Sequence, residues 1–112
     1  MQKLDIVEQL FPLVVTGEKK STIRFREQRM NVGPMVYWCD GKSDKTVTVW
    51  VHRCTDMPLL EVASFLGMAE EWPKEAMLED MRIHYPNIKL LDIVQVVEHF
   101  NPTESHQYLS QA

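Results

Sequence analysis

Between Lys45 and Cys54 the chain reads KTVTVWVHRC. Val47, Val49 and Val51 alternate with Thr46 and Thr48, and most of these side chains branch at Cβ. Branching restricts rotamers in a helix and suits a pleated surface, so this run predicts a long strand. The text before it supplies a partner. MVYWCD (35–40) reads as another strand, and DGKSD (40–44) carries the turn chemistry of a hairpin. Upstream, STIRFR (21–26) alternates Thr22, Arg24 and Arg26 with Ile23 and Phe25, the period-two pattern of a half-buried strand. Thr22, Arg24 and Arg26 then share one face, and NVGP (31–34) is the turn that follows.

Helical spacing lies outside this block. In LDIVEQLFPLVVTG (4–17), Leu4, Val7, Leu10, Leu13 and Val14 recur as on one helix face, and Gly17 is a stop. Pro12 implies either a kink or a turn that begins there. MPLLEVASFLGM (57–68) suits a short helix. WPKEAMLEDMRIHYP (72–86) suits another, with Pro73 near its start, Pro86 at its end, and Ala76, Met77, Met81 and His84 on one side. KLLDIVQVVEHF (89–100) is the closing strand, with Leu91, Ile93 and either Val94 or Val96 directed at a core. The polar text after it (101–112) reads as a mobile tail. The expectation is an α+β fold: four to six strands and two or three short helices in one domain over residues 1–100. A small mixed or closed sheet suits this order better than a doubly wound parallel one.

The chain has 112 residues, 45% of them hydrophobic and 25% charged, which suits one globular domain with a single core. No apolar run reaches the roughly 18–20 residues of a membrane span. MQKLDIVEQL lacks the pattern of a secretory signal, so a cytoplasmic address is the default. Cys39 and Cys54 sit in strand-like text and read as reduced, buried thiols. The net charge of −4 argues against a surface that grips duplex nucleic acid everywhere, while leaving room for a local basic site.

That basic site is conspicuous. Gly17 to Arg29, GEKKSTIRFREQR, carries Lys19, Lys20, Arg24, Arg26 and Arg29 against Glu18 and Glu27, a local charge of +3 in an acidic chain. The ordinary reading is an edge strand with a wet, charged face. The chemical reading uses the spacing: Lys19 follows a helix stop and precedes Thr22 by three residues. A threonine hydroxyl becomes a nucleophile when a nearby base takes its proton, and a lysine serves as that base when burial or neighbouring cations hold it neutral. Other chemistries lack their motifs. The histidines and cysteines have no metal-ligand spacing, and there is no dinucleotide fingerprint, P-loop or Gly-x-Ser-x-Gly elbow. No cofactor or metal is expected. Trp38, Trp50 and Trp72 read as core or rim, with base stacking held open for any that lies beside the basic strand. The acidic run Glu70–Asp80 reads as a solvated helix face.

TGEKKSTIRFR matches the Gly-x-Lys-x-x-Thr-x-Arg signature of the activating signal cointegrator homology (ASCH) domain, a member of the PUA-like superfamily. VGPMVYW, the acidic helix ending HYP, and LLDIVQVVEHF follow in that family's order. The chain therefore resembles an ASCH domain over residues 4 to 100. It departs from the family at Gly33-Pro34, where Gly-Asp is frequent. The resemblance implies a small PUA-like β-barrel flanked by helices, with a cleft lined by the signature. In length and layout it is most similar to the bacterial N(4)-acetylcytidine amidohydrolases, which use a Lys, a Thr and a Glu to remove acetyl from the exocyclic amine. Carried over by motif, these are Lys19 as base, Thr22 as nucleophile, and Glu70 or its neighbour Glu71 as acid, with Glu70 preferred. Lys20, Arg24 and Arg26 would bind substrate, an acetylated cytidine nucleoside. Other ASCH proteins are associated with RNA. The alternatives are thus a module for single-stranded RNA and a metal-independent ribonuclease. A third is a protein-interaction module working through the acidic helix 73–84.

Overall fold

The structure is a computed structural model that describes residues 1–111, Ser43 by its backbone only. It is α+β. Strands β1 (Gln2–Ile6), β2 (Ser21–Arg24), β3 (Gly33–Cys39), β4 (Lys42–Pro58) and β5 (Ile93–His99) form one sheet in the order β1-β3-β4-β5-β2. Four helices accompany them among the described residues: α1 (Phe11–Thr16), α2 (Val62–Phe65), α3 (Lys74–His84) and α4 (Pro102–Leu109), with a 3-10 turn at Leu59–Glu61. No helix among the described residues is long and apolar enough to cross a membrane.

The contacts divide into two compact units. The first comprises residues 1–22, 29–54 and the chain from 97 onward. Here β3 alternates strictly, burying Gly33, Met35, Tyr37 and Cys39. It pairs antiparallel with β4, setting Met35 opposite Val49 and Gly33 opposite Val51, and the register shifts between Trp38 and Cys39. On its other edge β3 pairs parallel with β1, setting Leu4 beside Tyr37 and Ile6 beside Cys39. Leu4, Ile6, Val14, Tyr37, Val49 and Val97 belong to the resulting core.

The expected first helix is therefore two elements. Leu4 and Ile6 are buried while Lys3 and Asp5 are exposed, a period of two that the helical spacing of Leu4 and Val7 obscured. The helix begins only at Phe11, with Pro12 in its first turn, where a missing N–H costs nothing. Gly17 closes it in the left-handed region at φ 86°, its N–H bonded to the Val14 carbonyl. A Cβ at Gly17 would lie 2.9 Å from the Asn101 Cβ. Gly17→Ala thus combines a left-handed penalty with a steric one, and is expected to cost about 2–4 kcal/mol. Urea unfolding measures it; a loss below about 0.5 kcal/mol, the noise of a neutral surface change, would show that the turn relaxes freely.

The residues expected to trail off as a tail instead form α4. Asn101 caps it, its Oδ1 accepting the Glu104 N–H at 2.7 Å, and Pro102 opens the first turn. Ser105 is fully buried, accepting the Trp50 N–H at 2.8 Å and donating to the Phe100 carbonyl at 3.3 Å. Tyr108 stacks on both Phe100 (4.8 Å, 6° between planes) and Trp50 (5.8 Å, 26°).

The second unit comprises residues 23–28 and 55–96. Its core gathers Phe25, Leu59, Val62, Met77, Met81 and Ile88 with Val94 and Val96. Met77 and Met81, one turn apart, are the buried stripe of α3, while His84 faces solvent, contrary to the expected side. β5 also differs from expectation. Leu91 and Ile93 are exposed, whereas Val94 through Val97 are all buried. An interior strand is covered on both faces, so consecutive residues, the polar Gln95 among them, are buried and alternation is lost.

Candidate functional site

Lys19, Lys20 and Thr22 lie in the first unit; Arg24, Arg26 and Glu70 lie in the second. In the first, the turn after α1 is tied down by the Lys19 N–H, which donates to the Leu13 carbonyl at 2.9 Å. The Lys19 side chain then reaches forward, and its Nζ donates to the Ser21 carbonyl at 2.5 Å. It is half-buried. Ser21 opens β2, and Thr22, the next residue, is only 5% exposed. The Lys19 Nζ is thus held on the peptide that leads into Thr22. Lys20 is exposed, and its carbonyl accepts the His99 N–H at 3.0 Å.

His99 is a residue that sequence reasoning left among scattered histidines. It is 1% exposed, and its ring is fully engaged. Nδ1 faces the Phe100 carbonyl at 2.8 Å; a carbonyl can only accept, so Nδ1 carries the proton. Nε2 then accepts from the Tyr37 hydroxyl at 2.8 Å, and Tyr37 is fully buried. Burial pushes the His99 imidazole down to about 4. The bond to the Phe100 carbonyl opposes this, and the charges of Lys19, His52 and Lys20 reinforce it. The ring is a neutral, fixed acceptor–donor bridge at physiological pH.

In the second unit, β2 ends at Arg24, earlier than the alternation implied. Arg26 lies outside the strand with φ 55°, a left-handed conformation rare for a side chain of its size. It therefore does not extend the face expected for Thr22 and Arg24. It is exposed, and its guanidinium sits 4.6 Å over the Phe25 ring. The Arg24 side chain is 12% exposed, and its Nη1 donates to Glu27 Oε1 at 3.5 Å. Glu27 also accepts from the Tyr85 hydroxyl. Neither Glu27 nor Tyr85 was singled out from sequence. Glu27 counted only against the charge of the basic stretch, and Tyr85 only as a landmark beside Pro86. Glu70 and Glu71 are exposed on the turn between α2 and α3. Further along, Trp72 donates to Asp80 at 2.7 Å from the indole N–H.

Among the described residues, no three His, Cys, Asp or Glu side chains gather so as to hold a metal ion. Trp38, Trp50 and Trp72 are all half-buried rim residues, and the Trp50 ring is covered by Tyr108. No family model, curated protein or solved structure matches the chain.

Proposed function

We propose that this chain is an amidohydrolase that converts N(4)-acetylcytidine to cytidine and acetate, on a PUA-like fold of the ASCH type. The observation that carries the reading is the placement of Lys19 on the carbonyl beside a buried Thr22. An amine and a sheltered hydroxyl this close along the chain are the base and nucleophile that acyl transfer needs.

In this reading neutral Lys19 takes the proton of the Thr22 hydroxyl as the oxygen attacks the acetyl carbonyl. Glu70 donates a proton to N4 as the C–N bond breaks and cytidine departs. Water then attacks the acetyl ester of Thr22, losing its proton to Glu70. Acetate leaves, and Lys19 returns the proton to Thr22. Arg24 and Lys20 supply positive charge for substrate oxygens, and Arg26, stacked on Phe25, offers an exposed planar cation.

The test is direct. With EDTA present, the purified protein should remove the acetylated chromophore of N(4)-acetylcytidine and release acetate in equal amount. An inactive protein that instead binds or cuts single-stranded RNA through Lys19, Lys20, Arg24 and Arg26 would replace this reading with the RNA one.

A further inference from the structure

Glu27 has no part in the mechanism above, yet it is held from two directions. It follows β2 by three residues, and the left-handed turn at Arg26 brings it back to Arg24. Arg24 occupies Oε1, and the Tyr85 hydroxyl, 58 residues away in sequence, occupies Oε2. Tyr85 is itself fixed. Its ring meets the Phe25 edge at 5.8 Å and 83°, and its N–H bonds the Met81 carbonyl at 2.9 Å.

A surface Arg–Glu pair three residues apart contributes little by itself. This one is different in three respects. Arg24 is largely enclosed, a second donor arrives from a distant element, and the intervening backbone adopts a conformation that persists where its surroundings impose it and that gathers at ligand sites. About a third of the Glu27 side chain nevertheless stays open to solvent. Each carboxylate oxygen has two lone pairs, so one remains on each after Arg24 and Tyr85 are served. Two adjacent acceptors held rigidly match two adjacent donors. On a nucleoside those donors are the vicinal 2′- and 3′-hydroxyls of ribose, the same pairing by which an acidic residue reads ribose in dinucleotide sites.

We propose that Glu27 recognises the ribose hydroxyls of the substrate, with Arg24 and Tyr85 as its positioning residues. This rests on the nucleoside reading and names its sugar: a ribonucleoside, not a deoxyribonucleoside. Binding of cytidine and 2′-deoxycytidine, measured by calorimetry for the wild type and Glu27→Gln, tests it beside turnover of N(4)-acetylcytidine. The wild type should bind cytidine about 10–100-fold more tightly than 2′-deoxycytidine, the range for a hydrogen bond to a charged group. Glu27→Gln should lose that preference, weakening cytidine at least about tenfold more than 2′-deoxycytidine, which keeps only the 3′-hydroxyl, and KM should rise with kcat preserved. Equal wild-type affinity for the two nucleosides, absence of binding to either, or equal weakening of both by Glu27→Gln would overturn the assignment. Glu27-dependent ribose preference without turnover would sink the hydrolase reading and leave the sugar site standing. Turnover indifferent to Glu27 would do the reverse.

Discussion

Thr22→Ala is expected to lower turnover of N(4)-acetylcytidine by at least about 10³-fold, because it removes the only atom that forms the acyl intermediate. Thr22 is buried, so loss of its hydroxyl and methyl also costs about 1–2 kcal/mol of stability. A melting curve separates the two effects. Thr22→Ser restores the nucleophile and should recover activity to within about tenfold. Lys19 gives the sharper contrast. Lys19→Ala and Lys19→Arg should be equally inactive, since a guanidinium never yields the neutral form a base needs. An active Lys19→Arg enzyme would reduce Lys19 to a source of positive charge. If Thr22→Ala left full activity, the nucleophile would have to be water, and the role of β2 would be binding alone.

The second large effect concerns acid. His99 is held at about 4 in the folded chain against 6.5 for an ordinary imidazole. Below pH 6.5 the unfolded chain therefore takes up a proton that the folded chain refuses until about pH 4. The unfolded state binds more protons across that window, so stability falls as pH is lowered through it and is fully present above it. Between pH 7.5 and pH 5 this one group accounts for about 2 kcal/mol. Carboxylates titrate there as well, so the comparison must be differential. His99→Asn should be weaker than wild type at pH 7.5 by about 1–3 kcal/mol, since the Tyr37 hydroxyl loses its acceptor. It should also show a shallower decline toward pH 5. Parallel declines in the two proteins would mean that His99 titrates alike folded and unfolded.

Local chemistry was readable where one segment decides its own structure. The β-branched run of β4, the Met77–Met81 stripe of α3 and the stop at Gly17 each follow from residues close in sequence. The misreadings have a common cause. Five residues at the sheet edge, Gln2–Ile6, fit two periods at once, and only the partner β3 chooses between them. The faces of β5 depend on what lies on either side of it, which its own text cannot state. The same holds for the candidate site. Lys19 and Thr22 are three apart and legible as a pair. Glu27 meets Tyr85 across 58 positions, and Tyr37 meets His99 across 62, so neither pairing leaves a local trace. The polar tail was misjudged because α4 is held by Ser105, Tyr108 and a cap, not by an apolar stripe.

The first unit is assembled from three pieces of chain, the last of which begins at Val97, while the second is complete once residue 96 exists. Proteins are made from the N-terminus onward at about 5–20 residues per second. On the ribosome, β1, β3 and the first part of β4 therefore wait, their core lacking Val97, His99 and the α4 clasp, while the segments of the second core are already present. Lys19 and Thr22 sit in the unit that closes last. The surroundings of Thr22 are thus shaped only after nearly the whole chain has emerged, and a nascent protein stalled short of α4 carries Lys19 and Thr22 without their buried setting.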